Sequence, residues 1–149
     1  MKITICGSMA FYKQMLDLKK DLESLGNEVM IPSLALEVPG EDKYFGQYME
    51  DNGGIDAFPA EHPLWDLKKG AINDHFLKIE KSDCILIANY EKKGVAGYVG
   101  GNTLIEIGLA FYLKKKIYIL NNVSSEISYK QEIMGMSPVF LNGDLNKIR

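Results

Sequence analysis

The amino-acid sequence predicts an α/β fold built on a doubly wound, five-stranded parallel sheet with helices on both of its faces. Short β-branched runs alternate along the chain with segments in which apolar residues recur at helical spacing. The first run, at residues 3–6, ends in Gly7-Ser8 and is followed by a helical segment and a second run, the pattern of a βαβ unit. The run at 83–89 is apolar almost throughout, as expected for a central strand that is buried on both faces.

The helices and the other strands follow from the same local signals. The first helix is predicted from Met15 and the leucines that follow it, and Gly26 closes it. The elements expected after it are a strand at 29–31, a helix at 64–82, the strand at 83–89, a helix at 104–113, a strand at 116–120, a helix at 129–134 and a strand at 139–141. Five strands that alternate with four helices predict a flavodoxin-like or Rossmann-like sheet.

The chain is expected to form a single domain over residues 1–149, with a lid or insertion at about 33–62. This stretch is rich in glycine and proline and is long for a loop of a compact domain, so either it covers a functional site or it carries short elements of its own. Its aromatic residues could pack over a ligand or simply tie the segment down; they are Tyr44, Phe45, Tyr48 and Phe58.

Composition excludes several classes of function. The 149 residues are 46% hydrophobic and 25% charged, the balance of an ordinary globular protein. A formal net charge of −3 gives no electrostatic case for binding a nucleic acid polymer or an anionic membrane. No apolar stretch approaches the length of a membrane span, and the first residues lack a signal-peptide pattern, so a cytoplasmic protein is expected.

The cysteine and arginine content narrows the chemistry further. Cys6 and Cys84 lie inside short apolar runs and are expected to be buried free thiols in a reducing compartment. Neither belongs to a CxxC motif or to a cysteine–histidine cluster, so no metal site is predicted. Arg149 is the only arginine, so a phosphate would have to be bound by lysine, hydroxyl groups or backbone N–H groups.

Functional residues are expected at one edge of the sheet. In doubly wound sheets, ligands bind outside the carboxyl ends of the strands, where the strand order reverses. The segments predicted at that edge are Gly7-Ser8, residues 89–102 and residues 121–125. Gly7 would let the backbone approach a ligand, and the N-terminus of the helix that begins after Ser8 favours an anion.

One carboxylate interrupts the apolar helix in the segment GYVGGNTLIEIGLAFYLKKKIYIL, residues 97–120. Glu106 is predicted in the first turn of this helix, and Thr103-x-x-Glu106 matches a capping box, in which the glutamate accepts a hydrogen bond from a backbone N–H group. A capping glutamate usually faces water, whereas Glu106 lies between Ile105 and Ile107. The other interpretation is a buried carboxylate, kept ionised by the helix dipole and nearby N–H groups, that faces a pocket and attacks the anomeric carbon of a sugar.

The same helix also predicts an oligomer. Apolar residues cover most of its circumference, namely Leu104, Ile105, Ile107, Leu109, Ala110, Phe111 and Leu113. The sheet can bury only one side of such a helix, so something else must cover the remainder. A second subunit is the natural candidate, and we therefore expect a homodimer.

Four segments together form a pattern that resembles one known family. They are ICGSMAF, HFLKIEKSDCILIAN, GGNTLIEIGLAFYLKKKIYIL and the terminal SPVFLNGDL, and they cover nearly the whole chain. The pattern resembles the nucleoside 2-deoxyribosyltransferase superfamily, including its 2′-deoxynucleoside 5′-monophosphate N-glycosidase branch. The resemblance implies that Glu106 is the nucleophile, that a glycosyl-enzyme intermediate forms, and that water or a second base then takes the sugar. It also implies a small-molecule nucleoside or nucleotide substrate and no cofactor.

The resemblance further implies acidic partners for the nucleophile, and here the chain departs from the family pattern. A family acid is expected eight residues before Asp83, where this chain has His75, with Asp74 adjacent. Either His75 or Asp74 assists proton transfer to the leaving base, or His75 is only a partly buried helix residue. A second family carboxylate has no clear match, because Glu91 is the only acid in the loop after the third strand.

The resemblance also assigns candidates for substrate binding. Asn89 and Asn102 could contact sugar hydroxyls, although turn and cap roles are at least as common for asparagine. Tyr98 could stack on a base or pack within its loop, and Gly100 and Gly101 would admit the sugar close to the backbone. The full set of substrate-binding candidates is Gly7, Ser8, Asn89, Tyr98, Gly100, Gly101 and Asn102.

A phosphate group on the substrate is less well supported. The arginine that follows Gly-Ser in the nucleotide-hydrolysing branch is absent from residues 9–11. Ser8, backbone N–H groups and Lys13 could take its place. Lys92 and Lys93 are either a second anion contact or plain solvated charges.

The terminal segment offers a contact between subunits. In some members of the family a polar residue near this end completes the site of the neighbouring subunit, and Asn142 and Asp144 could do so here. A type I′ turn at Asn142-Gly143 explains the same residues without any function.

Three functions are therefore weighed. The first is an enzyme that cleaves, or exchanges bases across, the N-glycosidic bond of a nucleoside or nucleoside 5′-monophosphate. The second is hydrolysis of another N-glycoside, such as a modified nucleotide or a dinucleotide cofactor. The third is a non-catalytic nucleotide-binding module, which His75 in place of the family acid favours and Glu106 in its Gly-Asn-Thr setting opposes.

Overall fold

The computed structural model describes residues 1–33 and 45–149. Its strands are β1 (Lys2–Cys6), β2 (Glu28–Met30), β3 (Cys84–Ile87), β4 (Lys116–Ile119) and β5 (Val139–Phe140). Its α-helices are α1 (Tyr12–Ser24), α2 (Phe45–Asp51), α3 (Leu64–Lys81), α4 (Gly101–Tyr112) and α5 (Lys130–Gly135). Short 3-10 helices lie at Met9–Phe11, Ile55–Ala57 and Leu145–Lys147. The predicted strands and helices are all present, and α2 is an additional helix within the predicted insertion.

The five strands form one parallel sheet in the order β2-β1-β3-β4-β5. The chain therefore adds strands first on one side of β1 and then on the other, which confirms the predicted doubly wound, flavodoxin-like order. Cys6 pairs with Ile87, and Ile87 pairs with Ile119, so that β1, β3 and β4 end at the same level. Their carboxyl ends form the edge at which such sheets bind ligands.

Helices cover both faces of the sheet. Ile3 and Ile5 of β1 are fully buried in a core cluster that includes Met15 of α1. Because successive side chains of a strand point to opposite faces, Cys6 shares the other face with Thr4 and not with Ile3 and Ile5. On that face Cys6 contacts Glu106 of α4.

The chain divides into two compact units, one formed by Met1–Pro32 with Lys78–Arg149 and the other by Ser33–Leu77. The second unit begins where the insertion is predicted but continues beyond residue 62 into α3. Its core consists of Phe45, Met49, Phe58 and Leu64, with Tyr48 and Trp65 packed against it. The described aromatic residues of the predicted lid therefore stabilise this unit, while Tyr44 lies outside the described residues.

Helix α4 is buried on one side only. Its buried residues are Thr103, Glu106, Ile107 and Ala110. Ile105, Phe111 and Tyr112, on the opposite side, are 45%, 53% and 81% exposed in the single chain. The helix thus presents an apolar surface of the kind that a second subunit could cover, and the homodimer stays a prediction.

Two expectations from composition can be compared directly with the structure. Cys6 and Cys84 are both buried and unbonded to each other, as predicted for free thiols. Among the described residues, no helix combines the length and the apolar character needed to cross a bilayer.

Candidate active site

The carboxyl edge of the sheet is tightly packed where β1 ends. Gly7 follows directly after β1, and a Cβ atom at this position would lie 2.9 Å from the carbonyl oxygen of Ala88, which follows β3. Glycine is therefore required here by the neighbouring strand, whatever binds at the edge. This close contact fixes the backbone of Cys6 and Ser8, which flank Gly7 and which both contact candidate site residues.

Helix α4 begins earlier than the sequence predicts. Gly100 is its N-cap, no side chain caps it, and the N–H group of Leu104 donates to the carbonyl of Gly100 at 2.9 Å. Thr103 is therefore already inside the helix, and the predicted capping box is wrong. Glu106 consequently lies in the second helical turn instead of the first, where the helix dipole stabilises a carboxylate less than expected.

Glu106 is held by side chains instead of by backbone N–H groups. Its carboxyl group is 3% exposed. The amide of Asn102, four residues earlier on α4, donates from Nδ2 to Oε1 at 3.0 Å. The thiol of Cys6 also lies against this carboxylate, with its Sγ atom and a carboxylate oxygen within 4.8 Å of each other. A buried acid is expensive unless hydrogen bonds compensate for lost water, and these two contacts supply such compensation.

The sulfur atom of Cys6 remains protonated at any physiological pH. Burial raises the pKa of the Cys6 thiol well above its usual value, and the adjacent negative charge of Glu106 and the hydrogen bond to it raise the pKa further. A protonated thiol has one S–H donor, whereas an ionised carboxylate can only accept. Cys6 is therefore the donor in the contact with Glu106.

A second polar cluster lies on the other side of Gly7. The ammonium group of Lys92 donates to Oγ of Ser8 at 3.2 Å and lies 5.0 Å from the centre of the Tyr98 ring. Ser8 Oγ also accepts from the N–H group of Ala10 at 3.4 Å, as the N-cap of the first 3-10 helix. Lys92 is half-buried, and its contacts with these neutral groups leave its positive charge available to an anion.

Tyr98 packs over the start of α4. A Cβ atom at Gly100 would lie 3.2 Å from Cε1 and 3.3 Å from the hydroxyl oxygen of Tyr98, so the ring fits closely against this glycine. Tyr129 donates its hydroxyl proton to the carbonyl of Val99 in the same loop. Burial and the neighbouring Tyr98 raise the pKa of Tyr129. By contrast, Gly101 is exposed, and a Cβ atom there would meet nothing.

Asn89 joins the ends of β3 and β4. Its side chain is fully buried, donates from Nδ2 to the carbonyl of Asn121 at 2.8 Å, and accepts at Oδ1 from the N–H group of Asn121 at 2.9 Å. The Asn121 side chain in turn donates from Nδ2 to the carbonyl oxygen of Asn89 at 3.1 Å. Because both ends of the Asn89 amide are engaged, the structure favours a turn role over the predicted contact with sugar hydroxyls.

The two candidates for proton transfer both lie on α3. His75 is 4% exposed, as expected for a histidine on the buried side of a helix. Asp74 is exposed, and one of its carboxylate oxygens accepts a hydrogen bond from Oγ of Ser33 at 2.8 Å. Their catalytic roles stay predictions.

The terminal residues adopt the local structure that the sequence suggested. Asn142 and Gly143 have φ angles of 51° and 79°, and the N–H group of Asp144 donates to the carbonyl of Leu141 at 3.1 Å, which defines a type I′ turn. Asp144 also accepts from the N–H group of Asn146 at 3.1 Å. These contacts account for Asn142 and Asp144 within one chain, and their proposed reach into a neighbouring subunit stays a prediction.

The sequence alone does not reveal the contacts of three residues at this edge. It predicts Cys6 only as a buried free thiol, leaves Lys92 as either a solvated charge or an anion contact, and places Asn121 only within the segment 121–125. No local pattern marks their roles, because each role depends on a partner at least 32 residues away in the chain. Only the strand order brings these partners together.

Comparisons with known proteins show that the chain is similar to solved structures. No protein-family model and no curated protein matches the chain. It is similar to a 2-deoxyribosyltransferase from the psychrotolerant bacterium Bacillus psychrosaccharolyticus, with 16% identity, a TM-score of 0.48, and coverage of 86% of this chain and 80% of that one. It is also similar to the CMP N-glycosidase of Clostridium botulinum, with 17% identity, a TM-score of 0.48, and coverage of 94% and 87%. At identities this low, the activity of this chain must be argued from its own residues.

Proposed function

We propose that the protein cleaves, or transfers the sugar across, the N-glycosidic bond of a nucleoside or nucleoside 5′-monophosphate, with Glu106 as the nucleophile. The observation that carries this proposal is a buried carboxylate that lies against the side chains of Asn102 and Cys6 at the carboxyl edge of a doubly wound sheet, where such sheets bind ligands. The resemblance of the surrounding glycine-rich turn and helix to the nucleoside 2-deoxyribosyltransferase superfamily adds the reaction class.

The proposed reaction proceeds in two displacements. A carboxylate oxygen of Glu106 attacks the anomeric carbon, the C–N bond breaks, and its electron pair leaves with the base, which takes up a proton. The resulting glycosyl ester is then attacked at the same carbon by water or by a second base, which restores the carboxylate. A negative charge beside the anomeric carbon stabilises the positive charge that develops there in both transition states.

The cluster of Ser8, Lys92 and Tyr98 supports substrate binding in this proposal. The ammonium group of Lys92 supplies the positive charge that a 5′-phosphate requires, and it does so without the arginine of the nucleotide-hydrolysing branch. Tyr98 offers an aromatic ring against Gly100 for a base or sugar. We propose that His75 or Asp74 protonates the leaving base. Each residue is substituted in turn, and the substitution that abolishes base release without unfolding the protein identifies the proton donor.

The assay is chromatographic detection of free base from ribo- and deoxyribonucleosides and their 5′-monophosphates. Wild type is compared with Glu106→Gln, which keeps the side-chain shape, and with Glu132→Gln, in which an exposed glutamate of α5 changes in the same way. We expect Glu106→Gln to lose base release by about a thousandfold or more and Glu132→Gln to match wild type. Adding a second base to the reaction distinguishes transfer from hydrolysis.

The non-catalytic binding module is the alternative, and one observation favours it. The carboxyl group of Glu106 is only 3% exposed, as expected for a structural acid, whereas a nucleophile must be reached by its substrate. Calorimetric titration with the same substrates separates the two functions. If the folded wild-type protein bound a nucleotide but released no base from any substrate, this result would support the binding module and refute the enzyme.

A further inference from the structure

The Cys6 thiol is a buried group of the candidate active site that the proposed reaction does not use. Cys6 is the last residue of β1 and is fully buried. Its Sγ atom and a carboxylate oxygen of Glu106 lie within 4.8 Å of each other, and the neighbouring carboxylate contributes to the raised pKa of the thiol. A thiol of this kind usually acts as a small hydrophobe, so a contact with the candidate nucleophile calls for a different account.

The two side-chain contacts of Glu106 differ in what they can fix. Asn102 lies on the same helix, one turn before Glu106, so it restricts the side-chain rotamer but moves wherever α4 moves. Cys6 lies on β1, which is paired on both sides within the sheet. The contact with Cys6, unlike the contact with Asn102, therefore ties the carboxylate to the edge of the sheet, where the substrate would be held.

We propose that Cys6 is a positioning residue for Glu106, whose S–H group donates to the carboxylate and holds it in the orientation required for attack. The inference rests on the proposed function, because it takes the carboxylate as the nucleophile. The thiol suits this role since it is a weak donor. A stronger donor would stabilise the charge of the carboxylate more and make it a poorer nucleophile, whereas S–H orients it at a small cost in reactivity.

Steady-state kinetics of base release test the role of the donor. Cys6→Ala removes it, and Cys6→Ser replaces it with a hydroxyl donor on the same Cβ atom. We expect Cys6→Ala to lower kcat about tenfold with KM almost unchanged, as for loss of one hydrogen bond to a charged group that matters in the transition state. Cys6→Ser should recover part of this loss because it restores a donor, but not all of it because the hydroxyl is the stronger donor.

The matched controls are Cys84→Ala and Cys84→Ser. Cys84 is the other buried thiol, and it lies at the opposite end of the neighbouring strand β3. Both control variants should keep the wild-type kcat. If Cys6 only filled space, Cys6→Ser would be no better than Cys6→Ala, since a buried hydroxyl gains nothing over a methyl group without an acceptor. That result, or a raised KM with an unchanged kcat, would overturn the inference.

An infrared measurement tests the contact independently of any activity. The S–H stretching band of Cys6 is assigned by its loss in Cys6→Ala, which leaves the band of Cys84. We expect the Cys6 band to shift to higher frequency in Glu106→Gln, because the acceptor loses its charge, while the Cys84 band stays in place. An unshifted Cys6 band would overturn the inference. If the band shifts but the wild-type protein releases no base, the result supports the contact between Cys6 and Glu106 and refutes the proposed function instead.

Discussion

Gly97→Ala should destabilise the protein much more than Gly94→Ala, although both glycines belong to the same loop and both have positive φ angles. Gly97 has a φ of 62°, and a Cβ atom there would lie 1.9 Å from the carbonyl oxygen of Asn122 and 3.3 Å from Nδ2 of Asn89. Gly94 has a φ of 80° and is exposed, and a Cβ atom there would meet nothing within 4 Å. The pair therefore separates the cost of a steric clash from the cost of the backbone conformation.

The expected magnitudes follow from these two costs. A left-handed conformation costs a residue with a Cβ atom about 1–2 kcal/mol, and both variants incur this cost. Only Gly97→Ala must also displace backbone, and forcing extra atoms into a packed region costs typically about 1–3 kcal/mol more. We expect a loss in the free energy of unfolding of about 2–5 kcal/mol for Gly97→Ala and about 1–2 kcal/mol for Gly94→Ala. The larger loss is a substantial share of the roughly 5–15 kcal/mol of a typical domain.

Equilibrium unfolding in urea, followed by far-ultraviolet circular dichroism, measures both losses on the same scale. The slopes of the two transitions should agree, so that the midpoints can be compared directly. A difference between the variants of less than about 0.5 kcal/mol, within the scatter of independent substitutions, would refute the close approach of the loop to Asn122. Since Tyr98 follows Gly97 directly, a loop that is displaced but folded should also raise KM in the base-release assay.

Three further predictions use the same assays. Asn89→Ala should lower the free energy of unfolding by about 2–4 kcal/mol because it leaves backbone groups of Asn121 buried without their partner. Asn121→Ala should lower it less, and equal losses for the two variants would contradict this account. Lys92→Ala should raise KM about tenfold for 5′-monophosphates and little for free nucleosides, with its exposed neighbour Lys93→Ala as the control; equal effects on both substrate types would argue against a phosphate contact. Phe111→Lys should convert the predicted dimer to a monomer, as measured by sedimentation velocity. A wild-type protein that is monomeric at micromolar concentration would contradict the dimer prediction.

The sequence predicts the fold well because the fold depends on periodicity. The strands around Ile5, Ile85 and Ile117 are short and apolar with several β-branched residues, and a glycine ends the first of them. Such a pattern has few structural alternatives, and the alternation with helices then favours a parallel sheet.

The start of α4 was harder to predict because two signals compete there. Thr103-x-x-Glu106 is a good capping box, but helix formation at Gly101 and Asn102 needs no side-chain cap when Gly100 accepts the first helical bond. The helix therefore begins three residues earlier than predicted, which places Glu106 in the second turn instead of the first. Its stabilisation changed from backbone N–H groups and the helix dipole to the side chains of Asn102 and Cys6.

The polar contacts of the site could not be predicted because they are long-range. The bond from Lys92 to Ser8 spans 84 residues, and the bonds between Asn89 and Asn121 span 32. Each depends on which strands are neighbours and on where each strand ends, and an error of one residue in register would separate the partners. Asparagine in particular gives no local sign of whether its amide will contact a ligand or join two strands.

The short segment Cys6-Gly7-Ser8 bears on the size of the ligand. Cys6 contacts the buried acid Glu106, and Ser8 contacts the half-buried cation Lys92, so that one strand end holds an acid and a cation. Consecutive Cα atoms are about 3.8 Å apart, which places Cys6 and Ser8 within about 7.6 Å of each other. Where these two contacts belong to one site, the acid and the cation can act on one small molecule that carries both an electrophilic carbon and an anionic group. A nucleoside 5′-monophosphate has both, and a free nucleoside has only the first, so the substrate panel should favour monophosphates if the two contacts belong to one site.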